Sequence, residues 1–199
     1  MNAKEIIEKI ENSKISIIPP KSSAVVIPLI EISGELHVLF EVRSRDLRFQ
    51  PGEVCFPGGR IDAGETPLEA AVRELCEELS IDFVDFKILR DLTPLAGPTG
   101  ALVYPFVALL KNYDMSYSPD EVERVFTYPV SYFVEHPGVS YPMKKTTVAP
   151  DNFPYRMVTG GTDTYNWHEQ HYDMWIYEDT CPVVWGFTGR LLHAFLELI

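Results

Sequence analysis

The chain has 199 residues, of which 46% are hydrophobic and 23% charged, a balance that excludes a disordered polymer and suits one globular domain. Its formal charge of −12 excludes nucleic acid as a default partner, because no basic stripe is present to displace counterions. A phosphate-bearing ligand would need local cations, supplied by a few arginines or by bound metal.

Residues 3–11 place Ile6, Ile7 and Ile10 on one helical face, and Pro19-Pro20 then starts an extended segment. Ala24–Ile32 and Glu35–Val42 are β-rich runs that read as a hairpin around Ser33-Gly34. Arg43–Pro51 is polar and reads as a loop, and Val54–Phe56 is a short strand that ends at Pro57-Gly58-Gly59. Residues 66–79 form the strongest helix pattern in the chain. Phe86–Leu92 and Leu102–Leu110 read as strands around a Gly/Pro loop at Leu95–Gly100, Glu121–Tyr128 as a further strand, and Ser131–His136 as a short helix. Residues 137–171, rich in Pro, Gly, Thr and Tyr, suggest hairpins and loops; Tyr172–Tyr177 alternates as a strand, and Thr188–Ile199 is helical.

The order predicts an α+β fold, a mixed sheet with helices packed on it. The expected organisation is one domain over 1–199, with 1–22 an N-terminal helix and lead-in, 137–180 an insertion-like stretch and 188–199 a C-terminal helix. Cys55, Cys76 and Cys181 are odd in number and lie far apart, without CxxC or Cys/His ligand spacing, which argues against structural zinc and a disulfide framework and fits a reducing cytoplasm. The start Met-Asn-Ala-Lys-Glu shows no apolar core of a signal peptide, and no apolar run approaches the roughly 18 residues of a membrane span. A cytoplasmic location with no membrane association is therefore expected.

Chemistry concentrates on the 66–79 helix. Thr66 is an N-cap, Pro67 suits the first helical position, and Glu69 completes a capping box. At about 100° per residue, Leu68, Val72, Leu75 and Leu79 fall within an arc of about 60°, a stripe expected to face the core. Glu74, Glu77 and Glu78 fall on the opposite side within an arc of about 100°. Such a cluster of hard oxygen donors suits Mg²⁺ or Mn²⁺. Taken alone it is equally a solvated acidic face.

The surrounding residues decide between these readings. From Gly59 the chain runs Gly, five residues, Glu65, seven residues, then Arg73-Glu74-Leu75-Cys76-Glu77-Glu78-Leu79-Ser80-Ile81. This resembles the Nudix box, in which Gly, Glu and an Arg-Glu-apolar-any-Glu-Glu segment stand at the same spacing, and every charged position matches. One position departs: the family has Gly where this chain has Ser80. That residue follows the helix end, where left-handed backbone is common and a non-Gly residue costs about 1–2 kcal/mol.

The resemblance implies an α/β/α sandwich with a mixed sheet. It implies divalent metal at Glu74, Glu77 and Glu78 with the Gly59 backbone nearby, and a Glu65–Arg73 salt bridge that holds the loop to the helix. Glu65, Arg73, Glu74, Glu77 and Glu78 would then form the catalytic set for hydrolysis of a pyrophosphate joined to some group X. One glutamate would serve as general base, with Glu53 and Glu121 as candidates outside the box.

The segment before the box is similar to the signature of the coenzyme A pyrophosphatase branch. Arg43, Ser44, Arg48, Gly52 and Phe56-Pro57-Gly58-Gly59 match in register, while Phe40 and Glu41 replace its Leu and Thr. The resemblance implies cleavage of coenzyme A or an acyl form to 3′,5′-ADP and 4′-phosphopantetheine, with Arg43 and Arg48 as phosphate contacts. For Arg43 a structural bond to a carboxylate or a backbone carbonyl is an equal alternative. Glu41 and the unmatched 137–180 stretch leave open a Nudix hydrolase of ADP-ribose or a dinucleotide, and a non-catalytic ligand sensor is a third reading. Tyr155, Tyr165, Trp167, Tyr172 and Trp175 are read as packing residues. The expected partner is a small molecule, with no nucleic acid and no membrane, and a homodimer is left open.

Overall fold

A computed structural model describes residues 2, 4, 5, 7, 8, 22–97 and 100–199. Residues 4, 5, 7 and 8 are helical; the rest of the N-terminal helix and the Pro19-Pro20 lead-in lie outside the described residues.

Strands β1 (Ser23–Ile32) and β2 (Glu35–Arg43) form the hairpin. Ser33 and Gly34 take φ of 54° and 84°, the left-handed pair that a tight hairpin turn requires. Then follow β3 (Val54–Cys55), β4 (Gly58–Arg60), helix α1 (Pro67–Leu79), β5 (Phe86–Asp91), β6 (Leu95–Ala96), β7 (Leu102–Leu110) and β8 (Val122–Pro129). The loop expected at Leu95–Gly100 thus contributes a short strand that pairs with β7.

β1 is the hub of this eight-stranded sheet. It runs parallel to β7 on one side, and on the other it pairs antiparallel with β2 through Leu29–Ile32 and with β4 through Ser23–Val25. β2 pairs in turn with β3 and β8. The sheet is therefore mixed, and its split around β1 carries the Gly58–Arg60 segment beneath α1.

Alternation along the strands sends side chains into two cores. Leu39 buries with Ala70, Ala71, Leu75 and Leu79 of α1, while its neighbour Phe40 buries on the opposite face. There Phe40 meets Phe133 of the short helix α2 (Val130–Glu135) and Leu191, Leu192 and Phe195 of the C-terminal helix. Each such fully buried side chain contributes about 1.5–3 kcal/mol.

The 137–180 stretch is more regular than its composition suggests. It forms β9 (Val139–Lys145), a short helix α3 (Tyr155–Thr159) and β10 (Gln170–Tyr177), joined by β11 (Val184–Trp185) into a second, three-stranded sheet. Helix α4 (Gly186–Leu196) closes the chain. Trp175 stacks on His193 of α4 at 3.5 Å, and Phe153, Tyr155, Tyr165 and Trp167 pack edge to face among themselves. The architecture is an α/β/α sandwich, with α1 on one face of the sheet and α2 with α4 on the other. No helix among the described residues is long and apolar enough to cross a membrane.

Candidate active site

Helix α1 carries its local signals as written. Thr66 accepts from the Glu69 amide, and the Glu69 carboxylate accepts from the Thr66 amide. Ser80 sits at φ 52°, ψ 44°, the left-handed end that its position demands, and its amide donates to Cys76.

The face that α1 buries differs from the expected stripe. Leu68 is 43% exposed, whereas Glu78 is only 2% exposed. Ala70 and Ala71 are wholly buried, and their small side chains let the helix approach the sheet on that flank. This rolls the acidic side downwards. Glu78 points inward, where its Oε2 accepts from the Gly58 amide at 2.7 Å. Glu74 is half-buried beside Gly59, and a Cβ on Gly59 would lie 2.2 Å from Glu74 Oε1. Glycine at 59 is what admits that carboxylate against the β4 backbone.

Arg73 uses every N–H it has. Nε and Nη2 hold Glu65 at 2.8 and 3.1 Å, Nη1 reaches Glu74 at 2.8 Å and Glu77 at 3.2 Å, and Nη2 also reaches the Arg60 carbonyl at 3.1 Å. The guanidinium ties the 60–65 loop to the helix and is saturated by its neighbours. Arg73, by hydrogen bonding, holds the Glu65 carboxyl down at about 2.

A further carboxylate arrives from elsewhere in the chain. The 113–121 loop docks on the C-terminal turn of α1: Ser116 Oγ donates to the Leu79 carbonyl and the Ser118 amide to the Glu78 carbonyl, at 3.1 and 2.8 Å. Glu121, at the end of this loop, has its backbone carbonyl bonded by the Ser44 amide at 2.8 Å. Side-chain oxygens of Glu74, Glu78 and Glu121 thereby come within 4.8 Å of one another. Glu77 stands outside that group, exposed and bonded to Arg73.

Burial, then the Glu41 charge, pushes Glu78 well above the usual carboxylate range, and burial raises Glu74 despite Arg73. Clustered oxygens of one sign, from buried Glu78, half-buried Glu74 and exposed Glu121, are a donor set that fits a hard divalent cation. Gly59, Glu74, Glu78 and Glu121 could hold one.

The remaining sequence candidates lie on the loop between β2 and β3. Arg43 Nε donates to the Phe49 carbonyl at 3.3 Å, a structural bond of the kind expected beside a turn. Arg48 stands 5.6 Å over the Phe49 ring and makes no ion pair among the described residues. Glu53 accepts from Gln50 at 3.0 Å and is not in the acidic group. Glu121 lies outside the box, and Glu41 departs from the Thr of the resembling signature, so neither is marked as a ligand by the motif itself. Glu41 had a usable signal: it is a charge two positions from Leu39 on an alternating strand, and so faces α1.

The family model described as NUDIX domain matches residues 19–140, more than half of the chain. The chain is 31% identical over 185 residues to Nudix hydrolase 3 of Caenorhabditis elegans, covering 88% of this chain and 72% of that protein. It is 38% identical over 130 residues to peroxisomal coenzyme A diphosphatase NUDT7 of Mus musculus, covering 64% of this chain and 55% of that protein. It is 42% identical over 107 residues to peroxisomal coenzyme A diphosphatase ndx-8 of Caenorhabditis elegans, covering 52% of this chain and 46% of that protein. The chain thus spans about half the length of these two diphosphatases. A MutT/nudix family protein from Enterococcus faecalis shares the fold, with a TM-score of 0.50 at 14% identity, covering 100% of this chain and 70% of that one.

Proposed function

The chain belongs to the NUDIX domain family, and from that premise we propose that it is a divalent-cation-dependent hydrolase of the pyrophosphate in coenzyme A or acyl-coenzyme A, yielding 3′,5′-ADP and 4′-phosphopantetheine or its acyl form. The observation that carries the hydrolase reading is the convergence of Glu74, Glu78 and Glu121 beside Gly59, whose missing side chain makes room for Glu74. In this reading Glu74, Glu78 and Glu121 hold Mg²⁺ or Mn²⁺ next to the Gly59 backbone, and Glu77 joins from the exposed flank. When bound, the cation offsets the charge of the phosphate oxygens and acidifies water.

The protein's own groups do the rest. Arg73 and Glu65 clamp the 60–65 loop so that Gly59 and Glu74 stay in contact. Arg43 braces the 43–52 loop through Phe49, and the guanidinium of Arg48, without an ionic partner among the described residues, is offered to a phosphate. The substrate choice is supported by the Arg43, Ser44, Arg48, Gly52 register and by the printed names of the mouse NUDT7 and worm ndx-8 relatives. We read residues 1–199 as one domain. The free cysteines support a reducing compartment such as the cytoplasm, while the names of those two relatives place them in the peroxisome.

Incubation with coenzyme A, ADP-ribose and a dinucleotide, with products identified by mass, tests the reading. Turnover should require Mg²⁺ or Mn²⁺ and vanish in chelator, and coenzyme A should give the highest kcat/KM. Arg48→Ala should lose about 1.5–3 kcal/mol of a charge-assisted bond, roughly ten- to hundredfold in kcat/KM, with Lys restoring only part. A preference for ADP-ribose would overturn the substrate and keep the hydrolase; full activity in chelator would overturn the cation. Cation-dependent binding without turnover on any of these would indicate a ligand sensor.

A further inference from the structure

Glu41 stands where the resembling signature has Thr, and the fold gives it an unusual setting. It is 1% exposed, on the α1 face of β2 in line with buried Leu39. Its Oε1 accepts from the Cys55 thiol at 3.0 Å. Burial pushes that thiol well above its ordinary range, so it remains a protonated donor and fixes the carboxylate's orientation. The other oxygen, Oε2, is buried and has no hydrogen-bond partner.

The surrounding charges do not satisfy Oε2. Glu78, Glu74 and Glu121 all repel Glu41, and among the described residues Arg43 is the cation whose charge favours it. Arg73 cannot help, since its donors are spent on Glu65, Glu74, Glu77 and the Arg60 carbonyl. An orphaned carboxylate oxygen, oriented by a thiol and set against an acidic group, is a ligand position for a hard cation. Glu41 is not among the oxygens that lie within 4.8 Å of one another, although its charge is felt by Glu78 and it feels those of Glu74 and Glu121.

We propose that Glu41 Oε2 is a further divalent-cation ligand, which extends the Glu74–Glu78–Glu121 site to a neighbouring cation position that a threonine at this place could not complete. This rests on the cation-binding reading above. The step is binding alone, with no bond made or broken.

The test counts ions rather than turnover. Titrate wild type, Glu41→Gln and Glu78→Gln with Mn²⁺ alone, reading free Mn²⁺ by electron paramagnetic resonance, with no nucleotide present. Glu41→Gln should lose one ion from the wild-type count, or bind one at least about tenfold more weakly, because ligand charge number sets affinity over orders of magnitude. An unchanged count with every affinity within about threefold, the scale of losing one remote charge, would overturn the inference. Wild type that binds no Mn²⁺ would instead overturn the parent reading. Loss in Glu78→Gln with none in Glu41→Gln would overturn only this one. Thermal unfolding in chelator guards against misfolding: Glu41→Gln should melt no lower than wild type, since it keeps the shape and replaces one buried polar atom without a partner by another, and a lower melt would count against the unpartnered oxygen on which the inference stands.

Discussion

Gly58 and Gly59 are adjacent, yet alanine at each should break a different property. A Cβ on Gly58 would lie 2.4 Å from the Ala24 carbonyl oxygen and 2.6 Å from Val25 Cα, both backbone atoms of the central strand β1. Neither can retreat without bending the sheet, so Gly58→Ala should cost about 1–3 kcal/mol of stability, as overpacking does. For a protein of this size that is a fall in Tm of roughly 2–12 °C. A Cβ on Gly59 would instead meet Glu74, at 2.2 Å from Oε1 and 2.4 Å from Cδ. That carboxylate is the end of a flexible side chain and can move, by more than about 1 Å if normal contact is to be restored. Gly59→Ala should therefore keep its Tm to within a few degrees. Its Mn²⁺ affinity and kcat/KM should fall by on the order of a hundredfold, because a misplacement of about 1 Å costs that much. Differential scanning calorimetry and Mn²⁺ titration on the pair would decide. Wild-type cation affinity in Gly59→Ala would show that Glu74 is not held for a cation, and an unaltered Tm in Gly58→Ala would refute the packing argument.

Two further outcomes follow from the charges. Glu65→Gln and Arg73→Lys should each weaken Mn²⁺ binding by loosening the 60–65 loop, and the double variant should be less harmful than the sum of the two; strict additivity would show that the bidentate contact transmits nothing. In chelator, stability should decline as pH rises. Burial raises Glu41 from 4.5 to about 7 and Glu78 from 4.5 to about 9, so the folded state holds these protons more tightly than the unfolded chain. Their stabilising contribution is full below 4.5 and is lost as pH climbs through those raised values. Glu65, lowered to about 2 by Arg73, acts in the opposite sense and only below 4.5. Urea midpoints between these limits should fall with pH in chelator and flatten with saturating Mg²⁺; a rise with pH in chelator would contradict the assignment.

What the sequence determined by itself is what neighbours along the chain decide. Ser33-Gly34 turns because both residues take left-handed backbone. Thr66 and Glu69 start α1 by exchanging hydrogen bonds within one turn, and Ser80 ends it. The Glu65–Arg73 pair, implied by the resemblance of the 59–81 segment to the Nudix box, joins a loop carboxylate to a helix guanidinium eight residues on. Tertiary structure decided the rest. Apolar periodicity put Leu68 inside and Glu78 outside, but helix orientation is set by how close the sheet can come, and Ala70 and Ala71 open the flank that carries Glu78. The regular pairing of β9 with β10 joins residues on either side of a long connection, so their composition alone could not announce it. Glu121 reaches the site only because the 113–121 loop satisfies the free carbonyls at the end of α1. Glu41 is buried only because β2 is covered on the α1 face. A carboxylate's neighbours across a fold are fixed by packing at long separation in the chain, and that information is absent from local spacing.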